Sequence, residues 1–208
     1  MRLFLFTALL LFGATSAEAG DQAAIAAARQ VVERYCQIEF EGGGKSMEER
    51  EQVIKFSPKR EKQISKETGM GAHVDYSNSH DIVVSVYEVK DVRLTGTKRA
   101  TATVAFKRLA RTEGDTYNTQ HYVAEPAHEE LVTLNLVFDQ KQWWVLDPPT
   151  PRVSKQVLIK RYEDEVKEDS SKWERILNDP SYEEEVKANV RAGRDRATST
   201  LRILKELP

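Results

Sequence analysis

Ala100, Ala102, Val104 and Phe106 alternate with Thr101, Thr103 and Lys107, and further along Val132, Leu134, Leu136 and Phe138 alternate with Thr133 and Asn135. Successive side chains of a strand point to opposite faces, so this two-residue period predicts two strands, each apolar on one face and polar on the other. A sheet built from them has to bury its apolar face under a second layer. The cover lies upstream. Residues 21–41 set Ala24, Ala28, Val31, Val32, Tyr35 and Ile38 at helical spacing, with Asp21 as N-cap and an alanine-rich start of high helix propensity. A long helix on an antiparallel sheet gives an α+β layer arrangement.

The remaining elements fit that frame. Residues 82–94, rich in β-branched side chains, predict a strand that meets Thr95-Gly96-Thr97-Lys98 and returns through 99–109 as a long hairpin. The strand over 129–138 turns at Asp139-Gln140-Lys141-Gln142 into Trp143-Trp144-Val145-Leu146 and stops at Asp147-Pro148-Pro149. Gly42-Gly43-Gly44 ends the first helix, and Ser46 with Glu49 has the form of a capping box opening a short helix through Ile54. Charged residues over 58–71 add a helical turn or two, and 69–79 read as loop. A polar loop, partly extended, surrounds Gly114-Asp115 and Tyr117-Asn118-Thr119. After Pro151 the pattern is helical again, with Val153, Val157, Leu158 and Tyr162, then Trp173, and a final helix from Pro180 to Leu207. Acids and bases balance over 155–208, the mark of a salt-bridged helical region that folds back on the domain or packs on another chain.

The N-terminus bears on location. Arg2, an unbroken apolar run over 3–12, and Ala17-Glu18-Ala19 ahead of Gly20 form the pattern of a cleaved secretory signal. The expected organisation is therefore a signal peptide over 1–19, an α+β domain over 20–154 and a charged helical extension over 155–208. The expected product is secreted or periplasmic and soluble, with no membrane insertion after cleavage, since no later apolar run approaches the roughly 20 residues of a spanning helix. Cleavage removes one base, Arg2, and one acid, Glu18, so the net charge stays at −2. That balance gives no support for nucleic-acid binding or for a polybasic membrane patch. The only cysteine is Cys36, so no intramolecular disulfide can form and core packing alone must hold the fold. Its place in an apolar helical pattern reads as a buried small hydrophobe rather than a nucleophile or lipid-anchor site.

A long N-terminal helix, a short second helix, the hairpin over 82–106 and the closing strand Trp143-Trp144-Val145-Leu146-Asp147 together resemble the NTF2-like superfamily, the cone-shaped α+β fold shared with SnoaL-like proteins, and within it the secreted bacterial branch. The resemblance covers about residues 21–154; the C-terminal extension departs from its compact members. It implies a curved antiparallel sheet with a cavity between its concave face and the long helix, and a Gram-negative setting. It does not fix a function, because isomerases, dehydratases, transport factors and assembly proteins share the shape. Continuing the alternation Ile82, Val84, Val86 to Glu88, adding Arg108 from the second strand, and taking Tyr35 and Glu39 from the helix and Trp144 from the closing strand, the candidate ligand-binding cavity holds Tyr35, Glu39, Glu88, Arg108 and Trp144.

An acid, a base and a phenol converging on an apolar cavity can orient a small polar ligand or tune a carboxylate. The competing reading pairs Glu88 with Arg108 as an ordinary cross-strand ion pair. Of Trp143 and Trp144, which take opposite faces of their strand, only one can fill the core, and the other is covered by the C-terminal helices or exposed. The four histidines, His73, His80, His121 and His128, fall close together in sequence, and His73 with Asp75 or His80 with Asp81 offers ligands or a carboxylate-oriented base. Their spacing matches no zinc signature, and solvated loop histidines are the plainer reading. No phosphate-binding glycine loop, nucleophile elbow or internal repeat is present, and neither metal nor cofactor is expected. No residue constellation identifies a reaction.

The reading favoured by these observations is a non-catalytic NTF2-like module for a small apolar ligand or a protein partner, expected to form a homodimer through its outer sheet face or its C-terminal helices. Two alternatives stand beside it. One is an isomerase-, dehydratase- or hydrolase-type enzyme using a cavity carboxylate or loop histidine; the other is a structural subunit of a cell-envelope assembly.

Overall fold

The structure, a computed structural model, describes residues 5–42, 47–68, 81–114 and 121–208. In chain order the elements are α1 (Leu5–Phe40), α2 (Met47–Glu51), β1 (Ile54–Lys55), α3 (Pro58–Thr68), β2 (Ile82–Gly96), β3 (Arg99–Glu113), β4 (His121–Asp139), β5 (Gln142–Leu146), β6 (Arg152–Ser154), α4 (Lys155–Asn178) and α5 (Glu184–Glu206). Among the described residues, six strands form one strongly curled sheet in the order β1-β5-β4-β3-β2-β6. The three long central strands are antiparallel, and the short β1 and β6 close the two edges in parallel with β5 and β2. The fold is α+β, as the alternation requires.

α1 lies across the concave face, packing on β2, β3, β5 and β6. Its Ala28, Val32, Tyr35, Cys36 and Ile38 meet Ala100, Ala102, Val104 and Phe106 of β3, Leu134 and Leu136 of β4, and Trp143 and Val145 of β5. These side chains form the main core, between helix and sheet. Burial of each large apolar group there is worth about 1.5–3 kcal/mol, which is how a chain without an intramolecular disulfide holds together. α1 does not start at Asp21; it runs unbroken from Leu5, since the alanine- and leucine-rich sequence before Asp21 has no proline and its glycines, Gly13 and Gly20, are isolated among good helix formers. No helix among the described residues is long and apolar enough to cross a membrane.

α1 ends where the glycines begin. Gly42 sits at φ +92°, and a Cβ there would stand 2.9 Å from Val157 and 3.0 Å from Arg161. Glycine is needed twice over, for the left-handed turn and for the close approach of α4.

The C-terminal helices form an antiparallel hairpin that folds back on the sheet. Leu158 of α4 with Leu204 and Leu207 at the end of α5 makes a second core with Val83, Leu109, Ala110, Tyr122 and Val153. Ser154 caps α4, its hydroxyl accepting from the Gln156 N–H at 3.2 Å. Residues 152–154, helical by sequence pattern, are instead the edge strand β6, because the prolines before them hold the chain extended and the cap sets the helix start.

β2 departs from simple alternation. Register shifts occur between Val84 and Tyr87 and again between Val89 and Asp91. Each extra residue reverses the parity of the strand beyond it. Val84, Tyr87, Val89, Val92 and Leu94 therefore face the core, while Val86 and Glu88 are exposed on the outer face.

Candidate functional site

The charged residues of the concave face collect where β6 meets β2 and α1. Arg152, only 7% exposed, places its guanidinium 5.0 Å above the Phe106 ring. It donates to the Thr150 carbonyl at 2.8 Å and to Glu130 at 3.0 and 3.1 Å. Glu130 also meets Arg108 at 3.5 Å, and Arg108 grips Glu125 through two bonds of 2.6 and 3.0 Å. Glu125 accepts from Arg111, which in turn pairs with Glu113. Strand pairing explains the chain of contacts: Tyr87, Phe106 and Glu130 are opposite one another on β2, β3 and β4, and Arg108 follows Phe106 on the same face. Burial alone would raise the Glu125 pKa, but hydrogen bonds from Arg108 and Arg111 overcome it and hold the carboxyl below the usual range.

Beside this chain, α1 buries Glu39 at 2% exposure. Its Oε2 accepts from Arg50 of α2 at 3.1 Å, while Oε1 has no hydrogen-bond partner among the described residues. Burial, with a smaller push from Asp81, drives the carboxyl up to about 7 despite the opposing pull of Arg50 and Arg152. Cys36, one turn earlier, is pushed up to about 12 by burial and by Glu39. A thiol with that pKa is no nucleophile at neutral pH.

Of the five residues expected in the cavity, the structure gathers Tyr35, Glu39 and Arg108 on the concave side and places two elsewhere. Glu88 is on the outer face, paired with Lys90 rather than Arg108, because the bulge after Val84 reverses its direction. The cross-strand partner of Glu88 is Ala105, and that of Arg108 is Val84. Trp144 also faces outward, half-buried, its indole N–H donating to the Asp139 carbonyl at 3.1 Å, while Trp143 fills the core at 4% exposure. The inward side chains are therefore those of Trp143 and Tyr87, one residue away from the expected ones.

His73, His80 and Asp75 lie outside the described residues. His121 and His128 are exposed, and His128 Nδ1 lies 2.9 Å from the Pro126 carbonyl. Among the described residues no cluster of histidine, cysteine and carboxylate side chains is arranged to hold a metal ion. Sequence reading misses Arg152, Glu130 and Arg50. Nothing in sequence marks an arginine next to a proline as a buried anchor; Ser154, as an N-cap, is the one available sign that Arg152 precedes the helix.

Neither a family model nor a curated protein matches the sequence. Among solved structures the chain is similar to the intermembrane space region of the chloroplast protein ARC6, at 12% identity and a TM-score of 0.32, over 61% of this chain and 95% of that one. A likeness of that size carries no functional argument.

Proposed function

We propose that the chain is an NTF2-like protein of the periplasm or extracellular space that acts as a non-catalytic binding and interaction module, joined to a second copy through the outer face of its sheet. The observation that carries this reading is the contrast between the two faces. Beneath α1 apolar side chains form the main core, and Arg152, Glu130, Arg108 and Glu125 hold one another beside it. On the outer face Val86 and Leu131 stand 54% and 62% exposed.

Leu131 is opposite Ala105 of β3, whose partner on β2 is Glu88, and Val86 precedes Glu88 on the same face. A twofold axis through this patch brings the exposed Val86 and Leu131 of two copies into one interface, as a self-complementary contact requires. The charges around the patch are of both signs, with Glu88 and Lys90 on β2 and Lys107 opposite Glu129 on β3 and β4, as a contact between two copies requires.

A second reading, a general acid–base enzyme, draws support from Glu39, whose carboxyl titrates near neutrality. Its burial and its bond to Arg50 favour a structural part instead, since a proton-transfer group has to come within reach of substrate.

Sedimentation equilibrium of residues 20–208 tests the proposal. A dimer that becomes a folded monomer in Leu131→Glu is expected. A wild-type monomer at all accessible concentrations, or a dimer indifferent to Leu131→Glu, overturns it.

A further inference from the structure

We propose that the outer face carries a binding site for an apolar carboxylate, a single hydrocarbon chain ending in –COO⁻, at the end of the sheet remote from the ion-pair chain; this deepens the ligand-binding part of the reading above and rests on it. Two adjoining hollows of about 350 and 440 Å³ share Arg99, Val137 and Leu146. Their apolar floor continues from Val137 and Leu146 over the sheet edge to Phe138, Phe56 and Pro58. Thr101 and Asn135 stand beside Arg99 in the first hollow as hydrogen-bonding groups. An apolar trough with a few convergent polar groups is the usual form of a small-ligand site.

The charges select the ligand. Lys55, Lys98 and Arg99 line the hollows with two carboxylates, Asp139 and Asp147. Both carboxylates are engaged: Asp139 pairs with Lys55, and Asp147 accepts from the Ser57 N–H at 2.7 Å. The Lys55 bond, aided by Lys98, holds Asp139 below its ordinary pKa, so it stays charged and keeps Lys55 occupied. Among the described residues Arg99 makes no ion pair, although its guanidinium is the group best shaped to take a carboxylate by two parallel bonds. Asp147, at φ +49°, turns the chain sharply after β5 and brings its acceptor to the Ser57 amide, fixing the wall formed by Ser57 and Pro58 against the end of the strand. Among the described residues neither Lys98 nor Arg99 makes an ion pair, and three cations against two carboxylates leave the trough one net positive charge beside its apolar floor, which matches a monoanion with an apolar tail.

The test uses decanoate as probe and decyltrimethylammonium, with a tail of the same length and opposite charge, as control. Each is titrated into residues 20–208 below its micellar concentration and followed by NMR at the Val137 and Leu146 methyl groups. Saturable decanoate binding, at least tenfold weaker in Arg99→Ala and largely retained in Arg99→Lys, is the expected result. Absence of saturation, equal binding of the cationic probe, or binding unchanged in Arg99→Ala overturns the proposal. Arg99 is exposed and remote from Leu131, so sedimentation of Arg99→Ala is expected to show the same dimer as wild type; loss of ligand and loss of dimer are separate failures.

Discussion

Arg152 of β6 reaches across β2 and β3 to donate to Glu130 of β4 at 3.0 Å, with its guanidinium lying over the Phe106 ring between them. One side chain thereby ties an edge strand to the far side of the curl, and its charge is matched where α1 and the sheet exclude water.

Arg152→Met removes the pair and leaves Glu130 with Arg108 alone. A cost of about 2–4 kcal/mol is expected, below the range for fully buried pairs because Glu130 keeps some solvent contact. Arg152→Lys is expected to recover less than half of it, since an ammonium cannot both stack and fork. Urea denaturation measures both; a loss under about 1 kcal/mol in Arg152→Met would show that the pair contributes little net stability.

Glu39 predicts an unusual pH dependence. With its folded pKa raised from 4.5 to about 7, the folded state holds a proton that the unfolded chain has already released. Its contribution to stability is therefore greatest below pH 4.5 and falls as pH rises to about 7, by on the order of 3 kcal/mol. Glu39→Gln does not titrate, so its stability relative to wild type is expected to climb across that window. Parallel stability curves for the two proteins would contradict the buried, half-satisfied carboxylate.

The bulge in β2 is tested by neighbours of opposite direction. Tyr87 packs against Phe40 and Phe106, with ring centroids 5.2 and 6.2 Å apart, whereas Val86 and Glu88 face outward. Tyr87→Ala is expected to cost about 2–4 kcal/mol and Glu88→Ala within about 0.5 kcal/mol of nothing. Thermal unfolding of the two variants decides it, and a reversed order would restore the uninterrupted alternation.

Gly42→Ala forces both a left-handed backbone and a clash with Val157. A loss of about 1–3 kcal/mol is expected, and Val157→Ala in the same chain should relieve part of it by opening the contact. Additive losses in the double variant would place the strain in the backbone alone.

Wherever a stretch of chain obeys one period, sequence and structure agree. The alternations Ala100–Phe106 and Val132–Phe138 give the buried face directly, and the helical spacing of Val32, Tyr35 and Ile38 identifies its cover. The disagreements arise where a single extra residue changes parity. Counting from Ile82 places Glu88 inside, and a bulge after Val84 leaves no mark in composition. Trp143 and Trp144 are adjacent and equally apolar, so only the register with Phe138 and Val137 tells which one enters the core. Arg152 and Glu130 lie 22 residues apart and meet only because the sheet curls, a property of the assembled strands rather than of either segment.

A closed interior and a working exterior are best told apart by native mass spectrometry of residues 20–208 purified gently from an export compartment. The expected result is the mass of two chains, lost to one chain in Leu131→Glu, with any retained small molecule released by Arg99→Ala but not by Glu39→Gln. A single chain carrying a molecule that Glu39→Gln releases would contradict it, and would place the working site beneath α1.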